Sequence, residues 1–333
     1  MTEVPHRAES GRRPTVAILA TGGTIQNTLS GRIPVRQLID EVLAEERDVE
    51  FDVPELVEHE ALRVDSKELE PGDWLHIAQV AQELADRPEV TGIVVTHGTF
   101  TVEETAYFLH LTVNTEKPIV FTCAQRKHGL VGNDGDRNLI DAIRAACALG
   151  PGVGAVVVMG EEIHSAREVS KSNQRPGGFV SGSLGLLGSA ELDRVSLYRR
   201  PTRRHTATSE FSARSLPDAL PRVDILTTYV GARAGLVASA RDDGVAGLVL
   251  EGFAPAGQPG PGQHDPIVDL HGRGVPVVVT SRGRNGRVPG KPPGTRSWLT
   301  GDNLSPIKAR ILLMVALSAG LTGDGLQRVF DEY

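Results

Sequence analysis

Short apolar runs alternate with amphipathic stretches along most of this chain, in the rhythm of strands followed by helices. Residues 15–20 (T-V-A-I-L-A) are β-branched or aliphatic almost throughout, which suits a strand buried on both faces. The run breaks into Thr21-Gly22-Gly23-Thr24, and a helix is predicted over 35–47. A strand follows over 57–64, and Pro71-Gly72-Asp73 opens a helix. In that helix Trp74, Ile77, Ala78, Ala81, Leu84 and Ala85 share one face at a spacing of about 3.6 residues. Further strands are expected over 91–96, 119–124 and 153–159. Helices are expected from Glu103-Glu104, whose carboxylates suit a helix start, and over 136–149. This order predicts βαβ units on a parallel sheet.

The rhythm lapses over 199–222, where arginines, prolines and Ser/Thr carry no apolar period; this reads as a linker. A smaller set resumes with strands over 224–230, 246–250 and 275–281. A last apolar helix begins at Ser305-Pro306, an N-cap followed by Pro at the first helical position. The expected organisation is therefore α/β: a leader over 1–14, a larger doubly wound, mostly parallel domain over 15–198, the linker, and a smaller αβ domain over 223–333. Gly/Pro-rich stretches over 254–262 and 283–294 read as long loops.

A chain of 333 residues with 40 % hydrophobic content can fill two cores. Its formal charge of -7 argues against a nucleic-acid partner, since such proteins carry a basic footprint. No run approaches the roughly 18 apolar residues of a membrane span, and the N-terminus has no secretory core, so a cytoplasmic protein is expected. Cys123 and Cys147 have no metal or disulfide spacing. His264-Asp265 alone is too little for a metal site, and neither metal nor cofactor is expected.

Candidate chemistry sits at two strand ends, Thr21-Gly22-Gly23-Thr24 and Thr96-His97-Gly98-Thr99, each presenting a threonine where open α/β sheets hold ligands. Gly22-Gly23 is neither a dinucleotide fingerprint nor a phosphate loop, and taken alone it is compatible with an ordinary βα turn. The joint pattern is more specific. Thr21-Gly22-Gly23-Thr24-Ile25, the stretch H-G-T-F-T-V-E-E-T-A-Y-F-L over 97–109, S-A-R-E-V-S-K-S-N over 165–173 and the final helix L-S-P-I-K-A-R-I-L-L-M-V-A-L over 304–317 together resemble the bacterial-type asparaginase/glutaminase family.

The resemblance implies amide hydrolysis through an acyl-enzyme. Thr24 matches the nucleophile, Thr99 the second threonine, and Lys171 the lysine that polarises it. Ser66 matches the residue that holds the substrate's α-carboxylate, and the Ala124 carbonyl matches the acceptor for the leaving amide. It also implies a homodimer or homotetramer acting on a small amide. His97 reads as a loop histidine rather than a base.

Three departures stand out. Phe100 replaces the aspartate that normally follows H-G-T, pairs with the substrate's α-ammonium and completes a Thr–Lys–Asp triad. Arg32 is the best match for a loop tyrosine that helps activate the nucleophile, and Lys67 replaces a glutamine or aspartate. The implied pocket has lost an acid and gained cations. Two expectations follow and both stay open: an amide substrate with a neutral or absent α-nitrogen and room for an extra carboxylate, or an impaired homologue that binds such a ligand without turnover.

Overall fold

The computed structural model describes residues 13–45, 52–283, 285–290 and 298–333. Most of the expected leader, the end of the helix expected over 35–47 and part of the loop expected over 283–294 lie outside the described residues. The chain divides into two compact units, one ending at Arg214 and the other beginning at Ser215.

The first unit is built on an eight-stranded sheet. Its strands are β1 (Thr15–Gly22), β2 (Glu55–Val64), β3 (Val90–Thr96), β4 (Ile119–Thr122), β5 (Ala155–Met159), β6 (Glu162–Ser165), β7 (Gly188–Ala190) and β8 (Val195–Leu197). They lie in the order β8-β7-β6-β5-β4-β3-β1-β2. The run β2-β1-β3-β4-β5 is parallel, and β6, β7 and β8 extend it antiparallel. β1 is buried along its whole length, which is why it reads as a continuous apolar run rather than an alternating one.

Helices cover both faces: α1 (Val35–Glu45), α2 (Pro71–Asp86), α3 (Val102–Thr112) and α4 (Gly135–Ala148). Leu38 and Val42 of α1 and Leu139 and Ile143 of α4 share one core with Val16, Ile18 and Ala20. Strand side chains alternate, so Ala17 and Leu19 face the other way. There α2 packs on β1 and β3, and α3 packs on β5. The rings of Trp74 and Phe108 stack at 5.7 Å between α2 and α3. The sheet is thus doubly wound and mostly parallel.

Its register positions the site. Ala20 pairs with Thr96, and Thr96 with Thr122, so β3 and β4 end level beside Ala20 of β1. A register shift after Ala20 pairs Gly22 with Val64 and draws the end of β2 alongside. The chain reverses direction across the sheet at β1, which has β2 on one side and β3 on the other, and sheets of this order hold ligands at that crevice.

Inside the stretch read as a linker, residues up to Arg214 pack within the first unit. Phe211 and Ala213 are buried, and Asn114 Nδ2 donates to the Phe211 carbonyl at 2.9 Å. Arg199 pairs with Glu168, so the basic run is partly internal.

In the second unit β9 (Val223–Thr227), β10 (Gly247–Gly252), β11 (Val277–Ser281) and β12 (Leu299–Thr300) form a parallel sheet in sequence order. Helices α5 (Gly235–Asp242), α6 (Pro261–Gly272), α7 (Pro306–Ser318) and α8 (Gly323–Glu332) accompany it. Helix α7 lies on β9, β10 and β11, and Gly247 admits it: a methyl there would sit 2.8 Å from Leu313 Cδ2. Ser305 caps α7 by accepting from the Lys308 N–H at 3.4 Å. Among the described residues no helix is long and apolar enough to cross a membrane.

Candidate active site

Glycines let three strand ends meet backbone to backbone. Gly22 and Gly23 adopt φ of 105° and 86°, in the region that favours glycine. A methyl on Gly22 would lie 2.5 Å from the Val64 carbonyl oxygen, and one on Gly23 would lie 2.5 Å from Gly98 N. The Gly23 N–H donates to the Val64 carbonyl at 3.2 Å, and Thr21 Oγ1 donates to the Thr96 carbonyl at 2.9 Å. Thr24 and Thr99 each follow one member of the touching Gly23–Gly98 pair, so the backbone segments that carry them meet. Thr24 opens a single 3-10 turn, Thr24–Gln26, and is half-buried.

Lys171 comes from a distant segment. It lies in a two-stranded ribbon in which Ser170–Lys171 pairs antiparallel with Phe179–Val180. Its Nζ donates to Thr99 Oγ1 at 2.8 Å. Burial lowers the lysine's proton affinity below the ordinary range, with negative charge at Glu103 opposing the shift. The Phe100 ring lies beneath the amine, 5.5 Å from Nζ to the ring centroid, yet is 61 % exposed. An exposed aromatic at this mouth offers a face to a cation or apolar group but cannot pair an ammonium as a carboxylate does.

Ser66 enters from the turn after β2. A methyl on Gly98 would lie 2.5 Å from its Oγ, which is buried and makes no hydrogen bond to the described residues. Ala124 is buried, and a methyl on Gly135 would touch both Ala124 Cβ (2.9 Å) and Ile25 Cγ1 (3.2 Å). Lys67 is exposed. Arg32 is fully engaged by protein: its guanidinium donates to Asp65 Oδ1 at 2.6 Å, to the Arg63 carbonyl at 2.5 Å and to Asn27 Oδ1 at 2.9 Å. Its charge is therefore balanced by Asp65 within the loop that carries Ser66.

His97 is fully buried, and desolvation pulls its imidazole down to about 4, so it is neutral at physiological pH. Its Nδ1 sits 2.9 Å from the Gly98 carbonyl, which can only accept, so that nitrogen carries the proton. Four residues that were not among the site candidates in the sequence also belong here. Gln125 Oε1 lies 3.5 Å from Thr99 Oγ1, and Asp134 accepts from the N–H groups of Gln125 and Arg126 at 3.0 and 2.9 Å. Ser170 Oγ donates to Glu103 Oε2 at 3.0 Å. Glu103 and Ser170 lie inside the motifs at 97–109 and 165–173, but their contact, like that of Gln125 with Thr99, joins positions far apart in the chain.

Comparison with known proteins agrees with this architecture. Residues 15–203 match the family model for the N-terminal domain of asparaginase, and 222–330 match the glutaminase/asparaginase C-terminal domain. The chain is 34 % identical to L-asparaginase 2 of Bacillus subtilis, over 96 % of this chain and 87 % of that protein. It is 32 % identical to the glutaminase-asparaginase of Pseudomonas fluorescens, over 96 % and 90 %. The crystal structure of a probable cytoplasmic L-asparaginase from Campylobacter jejuni superposes with a TM-score of 0.89 at 32 % identity, covering 96 % of this chain and all of that one. This chain belongs to the asparaginase family.

Proposed function

We propose that this protein is an amidohydrolase that opens a small carboxamide through an acyl-enzyme on Thr24 and releases ammonia. The observation that carries the reading is the 2.8 Å contact between Lys171 Nζ and Thr99 Oγ1, made by an amine that burial inclines to be neutral. The neutral form of an amine at that place can take the threonine proton and act as a general base, and burial enlarges the share of that form relative to a solvated lysine. In the reaction Thr24 Oγ bonds to the carbonyl carbon and yields its proton to the Thr99–Lys171 pair. The C–N bond breaks as that proton passes to the departing nitrogen. Water then hydrolyses the ester, frees the carboxylate product and restores the Thr24 hydroxyl.

Phe100 sets the proposed preference. Leaving a substrate ammonium unpaired in a desolvated pocket costs about 3–5 kcal/mol, roughly two to four decades in affinity. Amides with an acylated or absent α-nitrogen are therefore the proposed substrates, with the unsatisfied Ser66 hydroxyl as the group for their carboxylate. Ammonia release from L-asparagine, L-glutamine, N-acyl-asparagine, succinamate and maleamate tests this. The expected order places a member without the α-ammonium first, and L-asparagine leading the panel overturns it.

Phe100 also favours a second reading, an impaired homologue that binds such a ligand. That reading expects a ligand-dependent rise in melting temperature with no ammonia from any panel member. Self-association to a homodimer or homotetramer and action in the cytoplasm complete the proposal. The former is checked by light scattering, and the latter is supported by two cysteines that are both free thiols.

A further inference from the structure

The groups that face Lys171 are few. From the loop after β3 come the Thr99 hydroxyl and the Phe100 ring. From the end of β4 comes Cys123, a thiol that burial holds firmly protonated and that lies 3.1 Å from Met159 Sδ. From the first turn of α3 comes Glu103, the carboxylate among the described residues whose charge reaches the amine. Glu103 does not bind the lysine itself. It accepts a 3.0 Å hydrogen bond from Ser170, the residue before Lys171 in the ribbon. The side chains of successive strand residues leave opposite faces. A bond that fastens Ser170 to α3 therefore fixes how the next side chain leaves the ribbon toward Thr99.

We propose that Glu103, acting through Ser170, is the positioning carboxylate of Lys171, doing for this site what an acid at position 100 would do directly. The proposal rests on Lys171 serving as the base of the hydrolase. The anchor holds Nζ over the Thr99 hydroxyl, and the negative charge keeps the amine basic enough to take a proton despite its burial. An ordinary alternative exists, since a carboxylate in the first turn of a helix is favourable for the helix dipole alone. The two roles separate experimentally. A purely helical role predicts a small loss of stability and no change in how activity titrates.

The experiment compares full-length wild type with Glu103→Gln, Ser170→Ala and the double variant Glu103→Gln/Phe100→Asp. The first readout is the pH profile of kcat/KM on the best amide of the panel. Glutamine keeps an acceptor for Ser170 and loses only the charge, so the acid limb is expected to move to lower pH, with the plateau about tenfold below wild type. Ser170→Ala is expected to lower the plateau by a similar factor and leave the limb in place. Phe100→Asp, added to Glu103→Gln, is expected to return the limb toward its wild-type position. The second readout is the NMR titration of the Lys171 amine in the unliganded protein, which should follow the same order and needs no turnover. A wild type that hydrolyses no panel amide counts against the hydrolase reading, whereas the NMR comparison still judges Glu103. Glu103→Gln with an unmoved Lys171 titration, or with limb and plateau within twofold of wild type, overturns the proposal.

Discussion

Lys171 is a long, flexible amine that would normally be a solvated surface charge, and two neighbours and burial change that. The Thr99 hydroxyl fixes its end, the Phe100 ring covers its flank, and burial weakens its hold on the proton. Because the shift is downward, the neutral form gains population as pH rises through a value below the ordinary lysine range. Activity is expected to climb with pH on its acid side for this reason. Lys171→Met keeps the packing and deletes the proposed base, so kcat should fall by about two to four orders of magnitude. Circular dichroism and melting should stay near wild type, and a kcat within tenfold of wild type contradicts the assignment of the base.

Among elements, the strand-end glycines at the site leave no room for a side chain. Gly23 needs positive φ and also backbone contact with Gly98, so Gly23→Ala meets both strain and a clash at 2.5 Å. A loss of about 2–4 kcal/mol is expected by denaturant unfolding. Gly31→Ala, at positive φ but with nothing within 4 Å of the added methyl, should show the strain alone.

The ribbon after Thr24, Asn27–Thr28 with Gly31–Arg32, is held from behind by His128. The His128 N–H donates to the Asn27 carbonyl at 2.9 Å, while its ring nitrogens lie 2.7 Å from Asp136 and 2.8 Å from Glu41. Burial alone would pull this imidazole down, but hydrogen bonds to the two carboxylates outweigh it and the net direction is up. A folded-state value raised above the ordinary 6.5 contributes stability that is complete below that pH and is lost as pH rises through the folded value. His128→Gln should therefore destabilise more at pH 6 than at pH 9 in urea titrations; an equal loss at both argues against a charged clamp.

Over the whole molecule, legibility in the sequence followed period and steric necessity. The apolar run of β1, the apolar face of α2 and the Ser305-Pro306 start of α7 were readable because burial on a fixed period leaves a mark in composition. The short antiparallel strands β6 to β8 and helices α5, α6 and α8 left none. α6 starts at Pro261 and carries Pro266 inside it, so the local signal points to a loop and tertiary packing decides otherwise. At the candidate site, the contact between Lys171 and Thr99 joins two residues that the joint motifs name. Asp65 on Arg32, and Glu103 on Ser170, depend on contacts 33 and 67 positions apart in the chain.

The account's central claim is that two strand-tip hydroxyls and one amine cooperate to open an amide through Thr24. Intact-mass spectrometry on protein quenched during turnover of the best panel amide tests it most directly. The account predicts an adduct of the substrate's acyl mass that maps to Thr24 and disappears, with ammonia release, in Thr24→Ala. An unmodified Thr24 during turnover, together with undiminished ammonia from Thr24→Ala, contradicts it.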